Sequence, residues 1–427
     1  MPPVCPSRYA PAAARRASFA ANGPPNSCST SARRFFAPSS RSPRAPRTAR
    51  IEASACFRAA DSLGSIAGIA ASASFGNRRR AVIWSRTSPI SDQEHRYYDD
   101  DARKTDANAF GKLTYAVNTT LDVFADAQIR HVEHRFVGLT DLLGEGAQRV
   151  SYTFFNPKAG LLWRLAEGAK AYASIALANR EPNRDDLVAS TPSTRPVREH
   201  LIDMEAGYEH RTGRSALGIN LYYMDYTDQL VLTGELNDVG AAIRTNVPRS
   251  YRAGVELSGA WQATSRLLWK ANLALSRNKV LAFTEHVDDW DNGGQQTLAL
   301  GERDLSFSPD IVASSELGYR IWTKREAGHA DLTFVTKYVG RQFLDNTSSA
   351  DRMLDPYVVN DLRANVSLNV KGTKGIDVNL TVRNLFSELY ESNGWTYSYF
   401  FEGQRQAMVG LYPQAPLNVL GGVTVRF

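Results

Sequence analysis

No run in this 427-residue chain approaches the roughly 18 apolar residues that a membrane helix needs. A helical membrane protein is therefore excluded. Cysteine is absent after Cys56, so no disulfide framework can staple most of the chain. A long thiol-free stretch suits an oxidising exterior. Nucleophile–base pairs, phosphate loops and nucleotide fingerprints are missing too, so no catalytic residues and no cofactor are expected. Lysine and histidine are both absent from residues 1–90.

That first segment differs in kind from the rest. It holds 14 arginines and only two acids, Glu52 and Asp61, with Cys5, Cys28 and Cys56. Subtracting these from the chain's 50 basic and 44 acidic residues leaves 36 and 42 for residues 91–427, a net of −6. The basic character of the whole is local, and no nucleic-acid partner is expected. Rich in Ala, Arg, Pro and Ser, residues 1–90 lack the apolar content to bury a core and are expected to be disordered. Their composition is that of a shifted reading frame of GC-rich DNA; a basic tail for nucleic acid or anionic lipid and a transit peptide are the other readings. No basic cluster followed by an apolar run marks a secretory signal.

Beyond residue 90 the dominant pattern has period two. Leu362, Ala364, Val366, Leu368 and Val370 share one face, against Asp361, Arg363, Asn365, Ser367 and Asn369 on the other. Ile376, Val378, Leu380 and Val382 oppose Asp377, Asn379, Thr381 and Arg383. The last residues, Asn418 to Phe427, alternate likewise and end on an aromatic. Taken alone this is equally an edge strand of a soluble sheet. Repetition decides for strands with one lipid-facing and one wet face. About 13 strands are predicted, at 108–117, 121–135, 150–166, 169–181, 198–211, 214–233, 247–263, 266–285, 305–322, 328–342, 357–371, 375–386 and 417–427. Their connections alternate short and long, with the long ones at 136–149, 182–197, 234–246, 286–304, 343–356 and 387–416. In an up-and-down antiparallel meander all long loops then fall at one end, as in outer-membrane barrels. The fold class is all-β: an antiparallel up-and-down transmembrane β-barrel, partial, behind a disordered N-terminal segment.

Val382-Arg383-Asn384-Leu385-Phe386 followed by Leu389-Tyr390, with the terminal Val423-Thr424-Val425-Arg426-Phe427, resembles the C-terminus of TonB-dependent outer-membrane receptors. Tyr222-Tyr223-Met224-Asp225-Tyr226 and Tyr412-Pro413-Gln414-Ala415 are similar to its Bacteroidota branch. The resemblance covers 91–427. It implies a 22-stranded barrel filled by an N-terminal plug, and active uptake of a scarce ligand such as an iron chelate, a cobalamin or a glycan. It further implies residence in the outer-membrane lipid, a TonB-type coupling partner, and delivery by the barrel-assembly machinery through Phe427. Neither plug nor coupling motif is present, so the expectation is a C-terminal fragment, inactive alone. A passive porin-like barrel is the second reading and an outer-membrane enzyme the third.

Candidate contacts follow from position. Trp395, Tyr397 and Tyr399 lie in the last long loop, to stack on a ligand or to pack that loop. Arg180 and Arg184 lie at an outer strand end, as ligand contacts or within a salt-bridge set with Glu181, Asp185 and Asp186. Glu256, Lys270, Asn272, Arg363, Asn365 and Asn369 are assigned to the lumen. No metal site is expected: His131 and His134 are three apart on a strand and point to opposite faces. The acidic run His286–Gly293 lacks the ligand spacing of a calcium loop and reads as a solvated loop, with a loosely held calcium the lesser reading.

Overall fold

The computed structural model describes residues 50–52, 68–83, 95–138, 147–188, 190, 195–236, 242–324 and 326–427. All fall within one unit, Thr48–Phe427. Its strands are β1 (Arg50–Glu52), β2 (Gly68–Ile83), β3 (His95–Ala116), β4 (Leu121–Gly138), β5 (Gln148–Ala166), β6 (Ala169–Arg180), β7 (Glu199–Arg211), β8 (Ser215–Leu236), β9 (Ala242–Gln262) and β10 (Leu267–Asp289). They continue with β11 (Gln295–Asp304), β12 (Ile311–Lys324), β13 (Gly328–Val339), β14 (Gln342–Phe343), β15 (Met353–Leu354), β16 (Tyr357–Leu368) and β17 (Gly375–Arg383). β18 (Glu391–Phe401), β19 (Gln404–Pro413) and β20 (Asn418–Arg426) complete the set, and a short helix α1 (Arg184–Val188) sits between β6 and β7.

From β3 to β10 each strand pairs antiparallel with the next. The wall continues through β12, β13, β16, β17 and β20. All 13 predicted strands are therefore present, in the predicted order. The wall is not closed: among the described residues β20 pairs only with β17, and β2 only with β3.

Cross-strand register carries one face unbroken around the wall. Tyr115, Val123, Leu161, Ala173, Ala206 and Leu221 are successive partners, and so are Trp261, Trp269, Leu317, Phe334, Leu362, Val382 and Val419. Directly opposite residues share a face, so this face is apolar at every strand. It leaves Trp163, Ile175, Leu221, Trp261, Trp269, Leu380 and Val423 exposed, the exposure of a surface that meets hydrocarbon. The other face carries Asp126, Lys158, Glu205, Asn220, Glu256 and Lys270. There, aromatic rings lie across glycines of the next strand. Tyr172 covers Gly207, where a Cβ would sit 2.4 Å from its ring, and donates its hydroxyl hydrogen to Asn220 two strands away at 2.9 Å.

Side chains build the tight turns. Asn118 Oδ1 accepts the amides of Thr120 and Leu121; Thr212 Oγ1 accepts those of Arg214 and Ser215; Thr264 Oγ1 accepts those of Arg266 and Leu267. Gly168 supplies a positive φ of 76°.

Four expectations are corrected. Residues 286–304, expected as a loop, extend β10 and form β11; a bulge at Phe283 re-registers the pair and Gly293 and Gly294 (φ 76° and 78°) turn it. Residues 387–416 contain the β18–β19 hairpin, turned by Glu402 and Gly403 at φ 54° and 67°. The strand expected from 305 starts only at Ile311, because Phe307 adopts φ 50°. Ahead of residue 90, Arg50–Glu52 and Gly68–Ile83 pair with β3, which itself starts at His95. The rest of the expected disordered segment lies outside the described residues.

Candidate functional site

At the long-connection end, two hairpins far apart in sequence close on each other. The Trp290 ring stacks on Tyr399 with centroids 4.1 Å apart and lies tilted against Tyr397 at 6.3 Å. Trp290 Nε1 donates to the Tyr397 hydroxyl at 3.3 Å, and that hydroxyl donates to Asp288 at 2.5 Å. Burial, then the bond to Asp288, raises the Tyr397 pKa above its ordinary value. Asp291 accepts the amides of Glu402 and Gly403, both at 2.8 Å, and β10 adds two parallel pairings with β18. Trp395 lies over Gly410 on β19. The aromatic run thus packs loop to loop, with Trp290 as the member the sequence reading missed. Its partners lie more than a hundred residues away, beyond any local pattern. The Trp290 and Trp395 edges remain exposed at 55% and 36%.

Beneath this pair the β14–β15 segment is pinned by buried charge. Arg352 Nη1 donates to Asp345 at 2.6 Å, to Glu285 at 3.0 Å and to Ser398 at 2.8 Å. Arg405 also pairs with Glu285. Arg352, Glu285 and Asp345 are each 3% exposed or less. Charges so buried persist only when paired. The acids of 286–293 are likewise consumed: Asp289 accepts from the amides of Asp291 and Asn292 and from Gln296. Hydrogen bonds from the side chains of Gln296 and Asn292, with the Asn292 amide, hold its pKa down at about 2. Among the described residues no group of His, Cys, Asp and Glu is arranged to hold a metal. His131 reaches Thr153 on the apolar face and His134 is buried on the other, so they do not converge.

Arg180 and Arg184 do not come together. Arg180 pairs with Glu199 at 2.8 Å, and Glu199 also accepts the Leu230 amide. Arg184 reaches Asp185 at 3.4 Å. Glu181 accepts from Lys104 at 2.7 Å and Arg130 at 2.9 Å, and Asp186 from Arg244 at 3.2 Å. Only Arg184–Asp185 pairs within the expected set; the others tie this segment to β3, β4, β7 and β9. Glu256, Lys270, Asn272, Arg363 and Asn365 share the polar face, where Lys270 pairs with Glu316 at 2.9 Å. Asn369 falls beyond β16, in the turn, its amide bonded to Ala327.

The family model described as TonB dependent receptor-like, beta-barrel, matches residues 14–385. The chain belongs to the TonB-dependent receptor family. Its barrels are outer-membrane proteins, and it is a family of receptors and transporters, not of enzymes. Solved structures of similar fold include the copper transporter OprC (16% identity, TM-score 0.61, 83% of this chain and 53% of that one). The ferric citrate transporter FecA shows 14% identity and a TM-score of 0.61, over 83% of this chain and 50% of its own. The ferric yersiniabactin uptake receptor FyuA from Yersinia pestis shows 16% and 0.52, over 78% and 48%. The chain thus spans about half the length of these structures. Among curated proteins the comparison finds no match.

Proposed function

We propose that this chain forms the wall and outer loops of an outer-membrane receptor for energised uptake of a scarce ligand, with an iron chelate as the first candidate. The observation that carries this reading is the family match, which spans most of the chain. The names of its structural neighbours, two ferric chelate receptors and a copper transporter, support the ligand class. The family resemblance keeps a cobalamin or a glycan as further candidates. The coupling partner is a TonB-type protein, and Phe427 is the residue offered to the assembly machinery.

In this reading the ligand meets the exposed edges of Trp290 and Trp395 and the flank of Tyr397 and Tyr399. Arg180, at the end of β6, and Arg184, in α1, are further contacts in this reading, where an anionic chelate competes with Glu199 and Asp185 for their guanidinium groups. Glu256, Lys270, Asn272, Arg363 and Asn365 line the polar side against which a gating element packs. The family match favours this reading over a passive porin.

The test is tryptophan fluorescence of the purified chain, titrated with ferric siderophores, ferric citrate, cobalamin and oligosaccharides. Saturable quenching by one ligand class, lost in Trp290→Phe, is expected. A folded protein that binds none of them, yet leaks small solutes from liposomes, would favour the porin.

A further inference from the structure

Three arginines stand side by side where the apolar face ends. In the register of β3, β4 and β5, Arg103 lies directly opposite Arg135, and Arg135 directly opposite Arg149. All three are on the face that carries Tyr115, Val123 and Leu161, and all three are exposed. Like charges directly opposite on neighbouring strands repel. Among the described side chains the carboxylate paired with the row is Glu133, one step lower on β4, bonded to Arg135 at 2.5 Å and to Arg149. Arg103 has no ion pair among the described residues. Three guanidinium groups against that carboxylate give the described side chains of the row a net charge of +2.

Its height gives it meaning. Below it the face is apolar from Leu121–Trp163 up to Ile129–Phe155. That is eight residues of strand, about 20 Å along the membrane normal at the usual tilt and close to the height of a lipid-facing band. The next two rows are polar, His131–Thr153 and Glu133–Ser151. The arginines come next, about 15 Å above the last apolar row, where long side chains reach down to headgroups. Within the apolar band of β3 to β6, a depression of about 640 Å³ opens between Leu113, Ala127, Pro157 and Ile175. Gly111 helps to make it: an added Cβ there meets nothing within 4 Å.

We propose that Arg103, Arg135 and Arg149 dock the phosphate of an anionic membrane lipid, whose leaflet also fills the depression with acyl chain. Guanidinium groups on adjacent strands bind phosphate oxygens through charge-assisted, bidentate hydrogen bonds. An anion there relieves the repulsion that the row otherwise carries. The proposal rests on the apolar face meeting the bilayer, and not on which ligand the receptor imports.

The experiment is native mass spectrometry of the full chain refolded in detergent, titrated with dioctanoyl phosphatidic acid, dioctanoyl phosphatidylcholine and inorganic phosphate. The wild type is expected to prefer phosphatidic acid over phosphatidylcholine by about tenfold or more. The triple change Arg103→Gln, Arg135→Gln, Arg149→Gln should abolish that preference, and the corresponding Lys triple should restore most of it. Equal binding of the two lipids by the wild type, or an undiminished preference in the Gln triple, overturns the proposal. So does displacement of phosphatidic acid by an equal concentration of inorganic phosphate, which would make the ligand a free anion. Should the Gln triple fail to refold, Glu133→Gln decides. Removing the row's carboxylate should strengthen phosphatidic acid binding severalfold, and unchanged or weaker binding counts against the docking row.

Discussion

At the scale of the residue, two positions show how little freedom single side chains have. A methyl group at Gly207 would sit 2.4 Å from the Tyr172 ring. The ring must swing away and give up its bond to Asn220. Gly207→Ala should therefore cost about 1–3 kcal/mol in reversible urea unfolding from vesicles. Gly111→Ala, facing open space, should cost far less. Asp289 makes a pH prediction. Its pKa, lowered from 3.8 to about 2 by Gln296 and Asn292, means that its ionised form is favoured by folding. The stabilisation is fully present above about pH 4 and is lost as pH falls through about 2. The β10–β11 hairpin should thus keep its Trp290 emission from pH 7 to 5 and lose it only in that acidic window. Asp289→Asn should flatten the transition.

At the scale of the element, the faces of the strands and the seating of the loops can be tested apart. Leu273 and Asn272 are neighbours on β10 with opposite environments. Arg at Leu273, near mid-band, should cost about 2–4 kcal/mol in a bilayer. Arg at Asn272 should be mild, and equal costs would mean that the faces are assigned wrongly. Arg352→Met leaves Asp345 buried without a cation and Glu285 with Arg405 alone, a loss of about 3–5 kcal/mol. Amide exchange should accelerate in 279–304, 342–354 and 391–413 and stay unchanged in β16 and β17. The sequence made the wall legible because a strand with one wet and one lipid face must alternate, and Leu362 to Leu368 does so without a break. It hid the loop hairpins for the same reason. Above the membrane neither face of β11 or β18 meets lipid, so Thr396 to Phe401 reads as an aromatic loop. Its pairing with β19 across the Glu402–Gly403 turn makes it a strand, and two pairings to β10 brace it. Gly68–Ile83, rich in Ala, Ser and Arg, carries no period and drew no strand prediction.

At the scale of the whole molecule, charge and apolar surface are sorted by direction. The strands present hydrocarbon-like surface on one face and a polar, acid-bearing surface on the other, while the arginines of the first 90 residues account for the chain's net positive charge. Of the proposed binding residues, the sequence could offer Trp395, Tyr397 and Tyr399 from composition alone. It could not offer Trp290, because their meeting depends on where two hairpins stand around the mouth. The contacts that lock those hairpins join residues 107 to 120 positions apart, from Trp290–Tyr397 to Glu285–Arg405. Every strand from β12 to β17 lies between them in the chain. Closing so long a loop costs entropy before any contact rewards it. The hairpins therefore meet last, after the intervening wall has zipped. During refolding into vesicles, Trp290 emission should lag far-ultraviolet circular dichroism, so that this one ring reports the completion of assembly.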